Sequence, residues 1–338
     1  MAARQPVAAA ALLGAALLVA ACGAASQPTA TPTLAPTPGA TAAPTPPVTP
    51  GATAAPVLIE VDTSPIGLAS TEDTVWVAVY FAGQVIKIDP ITRSVTGAVD
   101  VGLGAIGLAA GPDALWVTVH ESGELVRIAY ADESLTRIAV GPQPEGVAAA
   151  VDQVWITIEE DGEVVRVDPA TNEVVATIAT GREPRHVGLG FGSVWVTNFG
   201  SATITRIDPA TNEVIATLEA GFGPEGIGFT SDAVWVANVR DGTVSRIDPA
   251  TNTIVATIPT GFATEGIVVD PDGLVYAAVS GALGIAGIDP ATNEVVAAFA
   301  AGDEPRRMII RGDELWVTNT GDGTVQILDL TNPRTPEG

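Results

Sequence analysis

The chain has 338 residues, of which only 5% are aromatic and 16% charged, and it carries a formal net charge of −24. All 39 acidic residues and 14 of the 15 basic residues follow residue 56, so that part of the chain has a net charge of −25. A surface this acidic repels nucleic-acid phosphates, which argues against a nucleic-acid partner.

Residues 1–21 have the features of a secretory signal peptide. Arg4 precedes an apolar run of Ala, Leu and Val, and small residues lead to Cys22, which is the only cysteine and therefore excludes an intrachain disulfide. The segment Val19–Cys22 resembles the lipobox of bacterial lipoproteins, and this resemblance implies cleavage before Cys22 and lipid attachment to it. An ordinary signal peptide cut after Ala21, or an uncleaved anchor, is the alternative. Lipidation predicts a protein of the bacterial cell envelope, held at a membrane outside the cytoplasm, since each buried methylene contributes about 0.8 kcal/mol.

Residues 22–56 are rich in Ala, Pro, Thr and Gly and contain no charged residue. Such a composition cannot build a hydrophobic core and predicts an extended tether. The folded domain is therefore expected at residues 57–333, followed by a short tail at residues 334–338.

The rest of the chain repeats itself with a period of 39 to 41 residues. The clearest marker is an aromatic residue inside a β-branched run. A Pro-x-Gly segment and an Asp before a proline turn repeat with the same period. Three markers thus agree on seven units, whose aromatic residues are Trp76, Trp116, Trp155, Trp195, Trp235, Tyr276 and Trp316.

Each unit contains four short segments typical of β-strands. In the fourth unit they read HVGLG, SVWVTN, TITRID and EVIATL, with Gly, Asn, Asp or Pro between them. No segment has the 3.6-residue apolar period of a helix. Seven antiparallel four-stranded units predict an all-β protein, a seven-bladed β-propeller. The recurring phrase DPATN is expected to be the hairpin turn between the last two strands of a unit, because Pro presets φ, the Asp side chain accepts backbone hydrogen bonds and Asn tolerates the left-handed region.

The two ends of the repeat region predict how the ring closes. The seventh unit stops where its fourth strand should begin, near residues 331–333, and the segment VLIEV at residues 57–61 precedes the first unit. Pairing this N-terminal strand with the third strand of the last unit would complete one sheet and remove the free edges of an open array.

The segments VWVTN, RIDPATNEVVATI and PEGI resemble the YVTN family of β-propeller repeats and the wider set of virginiamycin B lyase-like propellers, over residues 57–333. This resemblance implies the propeller fold and, for most members, a surface or periplasmic protein with an undefined binding role. The lyases are a metal-dependent minority that use His and Glu on the face of the disc. A likeness of fold does not choose between these functions.

The candidate functional residues lie where the first strand of each unit begins, because these strands line the central channel of a propeller. The residues expected to meet at the channel mouth are Glu145, Arg185, His186, Glu225, Glu265, Arg306 and Arg307, with Ile66 and Ile106 on one side. One interpretation is a binding site for a small zwitterionic or anionic group near the arginines and His186. The other is a ring of ion pairs that neutralises itself, since buried charges are costly unless paired or hydrated.

A metal site is the second chemical possibility. His120, Glu145 and His186 belong to units two, three and four, and two imidazoles with a carboxylate can bind a divalent cation. No spacing motif links them, and the His and Glu pattern of the lyases is not reproduced, so neither a metal nor a cofactor is expected. Tyr80 and Phe81 are expected to form an apolar half of the site or simply to pack in their loop.

A basic residue recurs before Ile-Asp or Val-Asp in the third strand of the units. We expect its stem to pack between sheets with the charged head in water. These residues are Lys87, Arg127, Arg166, Arg206 and Arg246.

Together these observations predict a monomeric, lipid-anchored propeller that binds or scaffolds without catalysing a reaction. Its partner would be a small molecule at the channel mouth or an envelope protein. The alternative is a metal-dependent lyase of the virginiamycin B lyase type.

Overall fold

A computed structural model describes residues 56–280 and 284–330 of the chain. The predicted signal peptide at residues 1–21, the predicted lipidation site at Cys22, the tether before residue 56 and the tail at residues 334–338 lie outside these residues. Within the described part of the chain, no helix has the length and apolar character required to cross a membrane.

The described residues form 28 strands in seven four-stranded sheets, which confirms the predicted all-β, seven-bladed propeller. In chain order, the strands are β1 (Val57–Glu60), β2 (Pro65–Ser70), β3 (Val75–Val79), β4 (Gln84–Asp89), β5 (Ser94–Asp100), β6 (Ala105–Ala110), β7 (Ala114–Val119), β8 (Glu124–Ala129), β9 (Leu135–Ala139), β10 (Pro144–Ala149), β11 (Val154–Ile158), β12 (Glu163–Asp168), β13 (Glu173–Ala179), β14 (Pro184–Gly190), β15 (Ser193–Asn198), β16 (Thr203–Asp208), β17 (Glu213–Glu219), β18 (Pro224–Phe229), β19 (Val234–Asn238), β20 (Thr243–Asp248), β21 (Thr253–Pro259), β22 (Thr264–Val269), β23 (Val275–Val279), β24 (Gly284–Asp289), β25 (Glu294–Ala300), β26 (Pro305–Arg311), β27 (Glu314–Asn319) and β28 (Thr324–Asp329).

Blades 1 to 6 each consist of four consecutive strands, beginning with β2, β6, β10, β14, β18 and β22, and paired antiparallel in chain order. Blade 7 has the order β26-β27-β28-β1, so its outermost strand comes from the start of the domain, with Val57 opposite Ile327. The first strand of each blade contacts the first strands of both neighbours, and β26 contacts β2. The inner strands therefore form a closed ring around the channel.

The core lies between the blades. In blades 1 to 6 the second strand is buried along its whole length, as in β11, because neighbouring blades cover both faces of its sheet. The repeated aromatic residues fill this space: Trp155, Trp195, Trp235 and Trp316 are 0% exposed, and each belongs to the core cluster of one inter-blade interface. The tryptophan period of the sequence is thus the period of the blade interfaces.

Glycine after the first residues of the inner strands allows those strands to approach one another. A Cβ on Gly226 would overlap the backbone carbonyl oxygen of Glu265, and a Cβ on Gly266 would overlap that of Arg306. Both obstacles are backbone atoms of the next blade, which cannot turn aside as a flexible side chain can. The Gly of the repeated Pro-x-Gly segment is therefore required by packing around the channel.

The recurring DPATN phrase is a hairpin turn, as predicted. In blade 3 the carboxylate of Asp168 accepts a hydrogen bond from the backbone N–H of Ala170 at 2.8 Å, and Asn172 has a φ of 58°. The same left-handed φ occurs at Asn212 and Asn252 in the next two blades. This geometry leaves the Asn side chain free to act outside its own turn.

In blades 3, 4 and 5 the basic residue of the third strand donates hydrogen bonds to the DPATN turn of the next blade. The prediction that its charged head points into water is therefore wrong for these three blades. Arg206 donates from Nη1 to the carbonyl oxygen of Pro249 at 2.6 Å and to Oδ1 of Asn252 at 2.8 Å, both in the next blade. Arg166 and Arg246 make the same pair of bonds to the turns of blades 4 and 6. We call this arrangement the arginine clamp; it links blades 3 to 6 in sequence.

The other two basic residues of this series differ. Lys87 pairs with Glu133 of the next blade at 2.5 Å, whereas Arg127 pairs with Asp113 of its own blade at 2.6 Å. Four of the five head groups therefore bond to the next blade, and Arg127 is the exception.

Candidate functional site

The predicted mouth residues lie in or directly beside an irregularity at the start of an inner strand. The pairing register of β10 with β11 shifts between Pro144 and Val147, so Glu145 and Gly146 bulge out of the ladder. The inner strands of the other blades show a register shift at the same place. A β-bulge redirects side chains, and here it turns the residues of each Pro-x-Gly segment toward the channel.

A threonine of the second strand fixes these bulges. The hydroxyl of Thr118 accepts a hydrogen bond from the N–H of Gly107 at 2.8 Å and donates to the carbonyl oxygen of Glu145 in the next blade at 2.6 Å. Thr197 donates in the same way to the carbonyl oxygen of Glu225 at 2.8 Å. This role was missed from the sequence, although the repeated Thr of VWVTN was a visible signal.

The structure brings the predicted charged residues together as ion pairs. Arg185 Nε lies 3.6 Å from Glu145 Oε2, and Arg306 Nε lies 3.1 Å from Glu265 Oε2. Arg307 Nη2 lies 3.3 Å from Glu225 Oε1, across the channel from blade 7 to blade 5. All three guanidinium groups therefore face a carboxylate, which corresponds to the self-neutralising ring and gives little support to a free anion site.

The ring nevertheless leaves several of its polar atoms without hydrogen bonds. Oε2 of Glu145, Nδ1 of His186 and Nη1 of Arg307 are inaccessible to solvent and have no hydrogen-bond partner among the described residues. Side chains of the same three residues line a cavity of about 100 Å³ in the channel, whose remaining wall is glycine and aliphatic side chains such as Ile106 and Met308. An unpartnered buried polar group costs about 1–3 kcal/mol, so this cavity is suited to a polar occupant. We call it the channel pocket.

Burial sets the charge states in the channel pocket. It raises the pKa of Glu145 well above the ordinary 4.5, with Arg185 opposing the rise and Glu225 adding to it. It lowers the pKa of His186 well below 6.5, and the positive charge of Arg307 lowers it further, so this imidazole is neutral at pH 7. Burial, followed by the charge of Glu225, also raises the pKa of Glu265.

A second polar network lies on the rim of the mouth, above blades 1 to 4. Tyr80 donates to Glu121 Oε1 at 2.6 Å and lies 3.3 Å from Nδ1 of His120. Nε2 of His120 lies 3.7 Å from Glu159, which accepts a hydrogen bond from Arg185 at 3.1 Å. The contact with His120 is the largest influence on Glu159 and, with Arg185 and against burial, lowers its pKa to about 2.

This network includes one of the two histidines of the predicted metal alternative. The described partners of His120 are Tyr80, Glu121 and Glu159, whereas His186 lines the channel pocket beside Arg307. Across residues 56–280 and 284–330, no group of three His, Cys, Asp or Glu side chains is placed to hold a metal ion.

Three aromatic residues lie on the same face, of which Tyr80 and Phe81, but not Phe199, were singled out from the sequence. Phe199 lies between the guanidinium groups of Arg185 and Arg240, 4.4 and 4.5 Å from its ring centroid. Phe81 is 66% exposed and packs edge-on against Tyr80, whose hydroxyl bonds to an acid. Tyr80 and Phe81 thus belong to the rim rather than to an apolar half of the channel pocket.

Comparisons with known proteins agree with this architecture. A family described as the YNCE-like beta-propeller matches residues 137–239. No curated protein matches the sequence. One similar solved structure is a streptogramin B lyase, with a TM-score of 0.71 and 18% sequence identity, covering 80% of this chain and 97% of that chain. Virginiamycin B lyase from Staphylococcus aureus has a TM-score of 0.71 and 18% identity, covering 81% of this chain and 99% of that chain. Hydrazine synthase from Kuenenia stuttgartiensis has a TM-score of 0.72 and 17% identity, covering 81% of this chain and 97% of that chain. At these identities the likeness shows the β-propeller fold alone.

Proposed function

We propose that the protein is an extracytoplasmic, lipid-anchored β-propeller that binds a small polar ligand in its channel pocket without transforming it. The observation that carries this proposal is the coincidence of Glu145, His186 and Arg307 around one cavity, each with a buried polar atom unpartnered within the described part of the chain. Such atoms favour a partner that restores their hydrogen bonds.

The proposal of anchoring rests on the N-terminal sequence. Arg4, the apolar run and the segment Val19–Cys22 match a lipoprotein signal, and residues 22–56 provide a spacer between the membrane and the propeller. A binding protein held in this way would present its channel mouth to compounds in the envelope.

Catalysis of the lyase type has weaker support. It requires His120 and His186 to hold one metal ion, but His120 is engaged by Glu121 and Glu159 on the rim. The lyases among the solved structures share the fold at 18% identity, which carries no argument for a shared reaction.

The ligand proposal is tested by thermal denaturation of the purified protein with a set of small anions, cations, zwitterions and neutral polyols at constant ionic strength. We expect at least one compound to raise the Tm, and Glu145→Gln or His186→Asn to remove that shift. Glu121→Gln, on the rim, is the matched control and should retain it.

Two results would contradict the proposal. If no compound raises the Tm, the cavity binds no ligand of this kind. If a divalent metal raises it and both His120→Asn and His186→Asn abolish the effect, the lyase alternative gains instead. Anchoring is tested separately: Cys22→Ser should move the full-length chain from the membrane fraction to the soluble fraction of a bacterial host, and an unchanged distribution would refute lipid attachment.

A further inference from the structure

The number of charges around the channel pocket indicates the charge of its ligand. The carboxylates that face the three guanidinium groups belong to Glu145, Glu159, Glu225 and Glu265. Four acids thus share three arginines. Arg306 and Arg307 each pair with one acid, whereas Arg185 is shared by Glu145 and Glu159.

Arg185 makes a closer contact with Glu159 than with Glu145. Oε1 of Glu159 accepts a hydrogen bond from Arg185 Nη2 at 3.1 Å, whereas Oε2 of Glu145 lies 3.6 Å from Nε and makes no hydrogen bond. Glu145 is therefore the acid that shares its arginine with another acid and whose Oε2 makes no hydrogen bond.

Glu145 is also the acid best placed to act on a ligand. It is 4% exposed, its Oε2 has no hydrogen-bond partner within the described ranges, and it lines the channel pocket. A carboxylate in this position is stabilised in its ionised form by a positive charge that donates hydrogen bonds. An anion would instead add to the surplus of negative charge.

The other unpartnered atoms define the rest of the ligand. Nδ1 of His186 can accept a second hydrogen bond when the neutral ring carries its proton on Nε2. Nη1 of Arg307 can only donate, so the ligand must also carry an acceptor such as a hydroxyl oxygen.

Size restricts the choice further. The channel pocket has a volume of about 100 Å³. An apolar cavity of about 150 Å³ accommodates benzene, which has six heavy atoms, so a volume one third smaller suits a compound of about four heavy atoms.

Building on the proposed ligand-binding function, we propose that the channel pocket binds a small organic ammonium compound that carries a hydroxyl group, of the size of ethanolamine. The ammonium group bonds to Glu145 and His186, and the hydroxyl oxygen accepts a hydrogen bond from Arg307. The net charge of −24 concentrates cations at the surface and supports their entry.

Binding of this cation requires ionised Glu145, so it is coupled to loss of a proton. The charged groups that act on Glu145 are Arg185 from β14, Glu159 from the loop after β11, Glu225 from β18 and Arg307 from β26. Two further titratable groups are Tyr80, from the loop after β3, and His186 of β14, which lines the same pocket. Because the pKa of Glu145 is raised, the affinity should increase with pH until this carboxyl group is fully ionised.

The test is a calorimetric and NMR titration of the full chain with ethanolamine, with ethylene glycol as the neutral analogue of equal size, and with acetate, glycine and potassium chloride. A ligand of four heavy atoms binds with a Kd no tighter than roughly 0.05 mM, so titrations should extend to tens of millimolar. We expect ethanolamine to bind at least about tenfold more tightly than ethylene glycol, and to release protons when it binds below the folded-state pKa of Glu145.

Glu145→Gln keeps the shape of the carboxyl group and removes its charge. It should weaken ethanolamine binding at least about tenfold and abolish the proton release, while Glu121→Gln leaves both unchanged. If Glu145→Gln does not fold, the pH dependence of the wild-type affinity provides the same test.

The outcomes separate the two proposals. Tighter binding of acetate, glycine or ethylene glycol would overturn the ammonium inference and leave the ligand-binding function intact. Equal binding of potassium would also overturn it, because a simple cation site would then explain the data. Binding of none of these compounds, together with no shift from the wider set, would overturn both.

Discussion

Replacing Arg206 by Met measures what the arginine clamp contributes to stability. Arg206 donates from Nε to Oγ of Ser193 at 2.9 Å and from Nη1 to Pro249 and Asn252 of the next blade at 2.6 and 2.8 Å. Its guanidinium carbon lies 4.7 Å from the ring centroid of Trp195. Met retains most of the apolar stem and removes all four interactions.

The expected loss follows from these contacts. A hydrogen bond to a charged group contributes about 1.5–3 kcal/mol, and a cation–π contact about 0.5–1 kcal/mol at an accessible site. Water can reach part of the vacated turn, so the sum is discounted to about 3–4 kcal/mol. At about 2 °C per kcal/mol for a domain of this size, the Tm should fall by about 6–8 °C.

Arg127→Met is the matched control. Arg127 occupies the same position in blade 2 and lies over Trp116 at 5.9 Å, but its described ion pair is with Asp113 of its own blade, a side chain that is 68% exposed. An exposed pair contributes about 0–1 kcal/mol and the cation–π contact about 0.5–1 kcal/mol, so this variant should lose no more than about 4 °C.

A double-mutant cycle isolates the cross-blade bond. Asn252→Gly keeps the left-handed conformation at φ 57° and removes the acceptor Oδ1. We expect a coupling of about 1 kcal/mol or more between Arg206 and Asn252, measured by urea denaturation or calorimetry. Equal losses for Arg206→Met and Arg127→Met, together with zero coupling, would refute the conclusion that bonds between blades supply the stability.

Three further predictions follow from the channel and the rim. The pKa of Glu159 is lowered from 4.5 to about 2, so its contribution to stability is present above pH 4.5 and is lost as the pH falls toward 2. Over that pH range the free energy of unfolding of Glu159→Gln should fall by about 2 kcal/mol less than that of the wild type. Parallel acid denaturation curves for the two proteins would contradict this assignment. The pKa of Glu145 is raised, so its contribution to stability is complete below pH 4.5 and is lost as the pH rises toward its folded-state pKa. The Tm of Glu145→Gln should therefore fall less between pH 5 and pH 8 than the Tm of the wild type. An identical fall would exclude a buried, titrating Glu145. Gly226→Ala places a Cβ against the Glu265 carbonyl oxygen and should destabilise the domain by more than about 3 kcal/mol. In the control variant Gly97→Ala the added carbon meets the flexible end of the Lys87 side chain, which should cost less than about 1 kcal/mol. Similar Tm values for the two variants would contradict the close packing of the inner strands.

The sequence by itself determined the architecture, because the repeat unit contains its own local instructions. The period of Trp155, Trp195 and Trp235 set the number of blades, and the DPATN phrase set the hairpin turns. The Pro-x-Gly segments marked the starts of the inner strands, which is why Glu145 and Arg307 could be assigned to the channel mouth. Each of these inferences uses residues that are close together in the chain.

The tertiary structure alone decided the partners. Arg307 pairs with Glu225, which is 82 residues away, and Arg206 bonds to Pro249, 43 residues ahead in the next blade. A periodic sequence does not by itself distinguish a contact within one unit from a contact made one or two units further, because corresponding positions recur at the same spacing in every unit. Which acid pairs with which arginine depends on distances of a few ångströms across the channel, and these are fixed only when the ring of inner strands has closed.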